Sequence, residues 1–233
     1  MTIGILLSGC GVYDGAEIQE SVFTMLAIGQ RGGTSLCLAP DVRQHHVIDH
    51  RTGNEMPEQR NVLTEAARIA RGDIRNVADI TIDEIDALVI PGGFGDAKNL
   101  TSWAFDGPDG TILPAVKNLI VSMVHAGKPV VGLCMGPTVI AKALEGSGVK
   151  PHLTVGTTEE ASPYDIAEVN AGMEKLDART HMNSVHEVTI DAGNNIITAP
   201  CYMMEASIVD VHDNVQQAIG ALFAMLTPDP LHV

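Results

Sequence analysis

The stretch from Pro129 to Ala141 constrains this chain more than any other. An apolar run, Pro129-Val130-Val131, ends in Gly132-Leu133-Cys134-Met135-Gly136 and passes at once into the helix-period segment Pro137-Thr138-Val139-Ile140-Ala141. That is how a buried strand hands over to a helix through one sharply bent residue, the arrangement of a nucleophile elbow. Glycines are needed at 132 and 136 because a side chain at either would collide with a neighbouring strand or helix. Cys134, at the apex, is expected above the sheet edge at the helix N-terminus, where free N–H groups and the helix dipole favour thiolate over thiol. The plain alternative is a buried cysteine acting as a small hydrophobe, which is the reading given to Cys37 within Thr34–Ala39.

Strand-like and helix-like segments alternate along the rest of the chain. Ile3–Leu7 reads as a buried strand stopped by Ser8-Gly9-Cys10-Gly11. A helix is expected from about Ala16 to Arg31, its apolar stripe Ile18, Val22, Met25, Leu26 and Ile28 facing the core. Strands follow at Thr34–Ala39 and Val47–Asp49, a helix at Glu58–Arg71, a helical turn at Ile82–Ile85 and a strand at Ala87–Ile90. Helix Leu113–Ala126 precedes the elbow strand Val130–Leu133, and the elbow helix runs to Leu144. Leu153–Val155 reads as a strand and the stretch to Ala178 as turns. A hairpin joins Glu187–Ile190 to Ile196–Thr198, and a last helix covers Ile208–Leu226, with Pro228 and Pro230 closing the chain. This order predicts an α/β fold, a doubly wound and mostly parallel sheet, in which ligands bind beyond the carboxyl ends of the strands. Ser8–Gly15, Pro91–Gly95 and Cys134 should therefore meet at one sheet edge.

Composition narrows the partners. A formal charge of −15 over 233 residues repels phosphate backbones and anionic lipid, so neither nucleic acid nor a membrane is expected as a partner. No 18-residue apolar run or signal-peptide pattern is apparent, and four unevenly spaced cysteines do not make a disulfide framework. A reducing, cytoplasmic setting is the expectation. Aromatic residues are only 3%, so the core must be built from Ala, Val, Ile, Leu and Met.

A cysteine nucleophile needs oxyanion donors and a proton shuttle. Backbone N–H groups at Gly92 and Gly93, after a strand, and at Met135 suit the first task. Glu17 and Glu20 open the first helix, where carboxylates complement the dipole. Either, shielded from water beside the thiol, could also exchange a proton with it. Cys10 lies at the same edge as a candidate redox partner. His45, His46 and His50 lack the carboxylate spacing of a metal site, so no metal is expected. Gly9, Gly11 and Gly15 miss the dinucleotide fingerprint by one position.

Four strings then give the chain a resemblance: Leu7–Gly15, Arg60–Ile69, Pro91–Leu100 and Gly127-Lys128-Pro129. Through them it resembles, nearly end to end, the enhancing-lycopene-biosynthesis family, within the PfpI-like branch of the class I glutamine amidotransferase-like superfamily. The resemblance implies a single domain over 1–233, a three-layer α/β/α sandwich with a flavodoxin-like sheet, and a homodimer. It also implies a glyoxalase-type activity without glutathione, metal or any other cofactor, and a link to isoprenoid biosynthesis. It assigns the functional glutamate to Glu20 rather than Glu17. Asn99, inside the third string, joins Glu17 and Cys10 as an accessory candidate. Many superfamily members carry a histidine where this chain has Met135 or Gly156; His152 is offset and does not inherit that role.

The expected chemistry is conversion of a small 2-oxoaldehyde such as glyoxal to a 2-hydroxy acid through a Cys134 hemithioacetal, with Glu20 moving the proton. The competing reading is a non-catalytic binding or redox-sensing protein that uses the same cysteine. A glutaminase is disfavoured by the absence of a His-x-Glu pair.

Overall fold

A computed structural model describes residues 1–227; the expected proline-terminated end at 228–233 lies outside them. In chain order the elements are β1 Thr2–Leu6, α1 Ile18–Gln30, β2 Thr34–Ala39, β3 Ile48–Asp49, β4 Asn54–Glu55, α2 Val62–Ile69, β5 Ile74–Asn76 and β6 Ala87–Ile90. A π-type turn, Asp96–Leu100, leads to α3 Trp103–Asp106, α4 Pro114–His125, β7 Val130–Leu133, α5 Gly136–Leu144, β8 His152–Gly156, α6 Ile166–Glu174, β9 Arg179–Met182, β10 Thr189–Asp191, β11 Ile196–Ala199 and α7 Ile208–Leu226.

Seven strands form one sheet in the order β10-β11-β7-β6-β1-β2-β5, parallel throughout except for β10, which pairs antiparallel with β11. The expected doubly wound, three-layer class is therefore the one observed. β1, β6 and β7 are almost wholly buried, as befits parallel strands covered on both faces. From β1 the chain builds outward to β2 and β5 on one side, and then to β6, β7 and β11 on the other. The crevice at that reversal, beyond the ends of β1 and β6, is where such sheets bind ligands.

Several segments depart from expectation. α2 begins at Val62 rather than at 58, because the Asn61 side chain caps it by accepting from the Thr64 N–H at 2.9 Å. The stretch read as turns before Ala178 contains α6, whose buried residues Ile166, Asn170, Gly172 and Met173 make a weak apolar pattern. β8 does not enter the main sheet but pairs with β9. Of the stripe assigned to the core face of α1, Ile28 is buried and Met25 half-buried, but Ile18, Val22 and Leu26 point outward, 44%, 44% and 47% exposed. The buried residues are Glu20, Ser21, Thr24, Ala27 and Ile28. Small side chains there let α1 lie against the sheet and α7, and they carry Glu20 into the crevice.

Candidate active site

Three strand ends and one helix start build the site. At the end of β7, Cys134 holds φ of +53°, a left-handed conformation costly for a residue with a Cβ and found where a site demands it. The flanking glycines behave as expected. A Cβ on Gly132 would lie 2.8 Å from Ile140 Cδ1 in α5, and one on Gly136 would lie 2.6 Å from the Ile90 carbonyl oxygen of β6. The Cys134 N–H donates to the Ala199 carbonyl at 2.9 Å, tying the elbow to the end of β11.

Glu20 comes in from α1, wholly buried. Its Oε2 accepts from the Gly92 N–H at 2.9 Å and its Oε1 from the Tyr202 N–H at 3.2 Å. Gly92, at the end of β6, stands between acid and thiol. A Cβ there would come within 2.7 Å of both Cys134 Sγ and Glu20 Oε2, so the missing side chain is what brings the two groups face to face. Burial first, and the neighbouring Glu17 carboxylate next, push the Glu20 carboxyl up to about 8.

The thiolate expected from the helix N-terminus is not what this environment favours. Cys134 is 4% exposed. Burial first, then Glu20 and Cys201, hold its thiol well above the usual range, against a lowering contribution from the Gly93 N–H. Desolvation of the sulfur and an adjacent acid outweigh the start of a nine-residue helix.

The other candidates sort by their hydrogen bonds. The Gly92 N–H, expected to face an oxyanion, is committed to Glu20; Gly93 directs its N–H toward the Cys134 sulfur, and Met135 occupies the N-cap of α5. Glu17 is the N-cap of α1: its Oε2 accepts from the Glu20 N–H at 2.6 Å and its own N–H donates to the Gly92 carbonyl at 2.7 Å. It braces the acid rather than meeting the thiol. Asn99 is a clamp between loops, donating from Nδ2 to the Ser8 and Asp14 carbonyls at 2.8 and 2.9 Å and accepting from the His45 N–H at 2.9 Å. Cys10 neighbours Glu65, Arg68, Asp14 and Arg60.

Three residues went unread in the sequence. Cys201, wholly buried with φ of +46°, is the thiol beside Cys134. Its one sequence signal is Pro200 ending the strand next to the elbow strand. Tyr164 lies close enough to Cys134 and Glu20 for both to raise its phenol, after burial, to about 12. Asp96 sits wholly buried on the π-type turn, its carboxyl held well up by burial; such turns recur at functional sites. Beside the elbow opens a cavity of about 520 Å³, with Met135, Met203, Phe94 and Tyr164 in its wall.

No protein-family model matches the chain. Curated relatives do. The human "Glutamine amidotransferase-like class 1 domain-containing protein 3, mitochondrial" is 39% identical over 215 residues, covering 91% of this chain and 79% of that protein. The chain belongs to this glutamine amidotransferase-like class 1 (ES1) family. The rat "ES1 protein homolog, mitochondrial" is 38% identical over the same shares of the two chains. A crystal structure of an "isoprenoid biosynthesis protein with amidotransferase-like domain" from Ehrlichia chaffeensis superposes with a TM-score of 0.88 at 32% identity, covering 97% of this chain and all of that one. A Drosophila DJ-1beta structure shares the fold alone, at 16% identity and a TM-score of 0.50 over 95% of this chain and 97% of that one. The cytoplasmic expectation is overturned, because the human, rat and zebrafish members of the ES1 family are named mitochondrial.

Proposed function

We propose that this ES1-family chain is a glyoxalase-type enzyme that converts small 2-oxoaldehydes to 2-hydroxy acids without a cofactor. The observation that carries the reading is the pairing of Cys134 Sγ with Glu20 Oε2 around Gly92. A carboxyl titrating at about 8 is poised near neutral pH, where a group that must both take and return a proton works best.

With glyoxal, the ionised Glu20 takes the thiol proton as the Cys134 sulfur bonds to one aldehyde carbon. The resulting alkoxide recovers that proton and becomes a hemithioacetal. Glu20 then removes the hydrogen on the same carbon to give an enediol and delivers a proton to the second carbon, leaving a thioester. Water cleaves the thioester to glycolate and the free thiol, so no oxidant or reductant enters. The N–H groups of Gly93 and Met135 are the proposed donors to the oxyanion.

The test is glycolate formation from glyoxal. Cys134→Ala should lower turnover by about 10³-fold or more, and wild-type activity should climb with pH as Glu20 ionises through about 8. Unchanged turnover in Cys134→Ala would falsify the mechanism. A redox role is the second reading, favoured by Cys201 lying beside Cys134. It predicts that dilute peroxide converts the two thiols to a Cys134–Cys201 disulfide, seen by mass spectrometry.

The homodimer belongs to the proposal as well, with the outward stripe Ile18, Val22 and Leu26 of α1 as its contact face. So does a link to isoprenoid biosynthesis, after which the Ehrlichia protein is named; isoprenoid quinone content in a deletion strain checks it.

A further inference from the structure

The chain has one tryptophan, three tyrosines and four phenylalanines. Four of these eight, Phe94, Trp103, Phe105 and Tyr164, line the cavity beside the elbow, and Met135 and Met203 add to its apolar wall. In a protein that builds its core from aliphatic residues, this concentration is a built feature. The rings arrive from separate segments: Phe94 follows β6, Trp103 and Phe105 belong to α3, and Tyr164 precedes α6. Phe94 meets Tyr164 edge to face, with centroids 5.7 Å apart. Trp103 is seated by α6, where a Cβ on Gly172 would come within 2.9 Å of the indole Cζ2. It is fixed in place rather than free to collapse into the space.

Size and charge select the occupant. Glyoxal would fill a small fraction of about 520 Å³, a volume in the range that holds drug-sized ligands. Among the described residues the wall carries the carboxylates Asp165 and Glu168 and no lysine, arginine or histidine. The lysines that touch lining residues are already engaged, Lys98 with the Phe94 ring and the Tyr13 carbonyl and Lys142 with the Pro108 carbonyl and Glu145, so an anionic ligand would meet chiefly like charge there. Flat apolar groups gain most from aromatic and thioether walls.

We propose that this cavity is the recognition site for the body of the substrate, and that it takes an uncharged 2-oxoaldehyde bearing an aromatic group, with the aldehyde end at Cys134. The inference rests on the reaction proposed above. It adds that the preferred substrate is a compound such as phenylglyoxal, which takes up one water and leaves as mandelate.

Two measurements on the full chain test it. Trp103, the single tryptophan, reports occupancy without catalysis. Acetophenone, uncharged and unable to undergo the reaction, should quench its fluorescence saturably, and benzoate at equal concentration should not. In turnover, kcat/KM for phenylglyoxal should exceed that for glyoxal by about tenfold or more. Phe105→Ala, at a half-exposed position (46%), should raise the ratio of the KM for phenylglyoxal to the KM for glyoxal by about tenfold. Glyoxal turnover with no saturable quench and no preference for phenylglyoxal overturns this inference and leaves the reaction standing. Saturable quenching without turnover of any 2-oxoaldehyde removes the reaction and supports the cavity as an aromatic binding site. Equal quenching by benzoate overturns the charge selection.

Discussion

α1 and α5 both leave strand ends and enter the same crevice, yet they pack by opposite rules. Every residue of α5, from Gly136 to Leu144, is buried, so an apolar sequence there reads correctly whichever face is considered. α1 buries Glu20, Ser21, Thr24, Ala27 and Ile28 and exposes Ile18, Val22 and Leu26. A helix that delivers an acid to a buried site turns a polar, small-residue face inward. Its outward apolar residues are then left for another purpose, in the proposed function contact with a second copy of the chain. Hydrophobic periodicity finds a helix in both cases and finds the core face only where function does not intervene.

Truncation separates the two helices most strongly. Ile140→Ala, wholly buried in α5, should cost about 2–5 kcal/mol in denaturant unfolding. A loss below 1 kcal/mol would mean that the elbow helix is loosely packed. Glu20 sharpens the contrast through pH. Its carboxyl is raised in the folded state from the ordinary range to about 8, so the native chain holds a proton that the unfolded chain releases first. Its contribution to stability is fully present below the ordinary carboxylate range and is lost as pH rises toward about 8, at about 1.4 kcal/mol per pH unit. Glu20→Gln should flatten that slope and lower turnover by about 10²–10⁴-fold; an unaltered slope in urea melts across this window would show that Glu20 is not held protonated. The smallest effect belongs to Val22→Ser. On the outward face of α1 it should change the stability of the monomer, measured at low protein concentration, by less than about 0.5 kcal/mol. It should nevertheless shift the sedimentation profile from dimer to monomer; a profile that stays dimeric would separate this stripe from the contact.

Much of the site was legible because it is written in backbone requirements. Gly132, Cys134 and Gly136 announce the elbow, and Pro91-Gly92-Gly93 announces a strand end able to approach it closely. The roles of Glu17 and Asn99 were harder to read, since a carboxylate that caps a helix and one that faces a thiol look alike in sequence. Only the Glu17–Glu20 hydrogen bond and the two N–H donors to Glu20 separate them. Cys201 and Tyr164 reach the elbow from segments well downstream of it, the second inside a stretch that reads as turns. No local pattern marks either.

The sequence by itself determined the alternation of strands and helices, the sharp turn at Cys134 and the edge of the sheet where chemistry can occur. These follow from local sterics and from the burial of apolar runs, which short windows of residues encode. The tertiary structure decided the protonation of the thiol, the burial of Glu20 beside it, the outward face of α1 and the aromatic cavity. Each of those depends on how much water is excluded and on which distant groups share the space, quantities that exist only once the chain has folded.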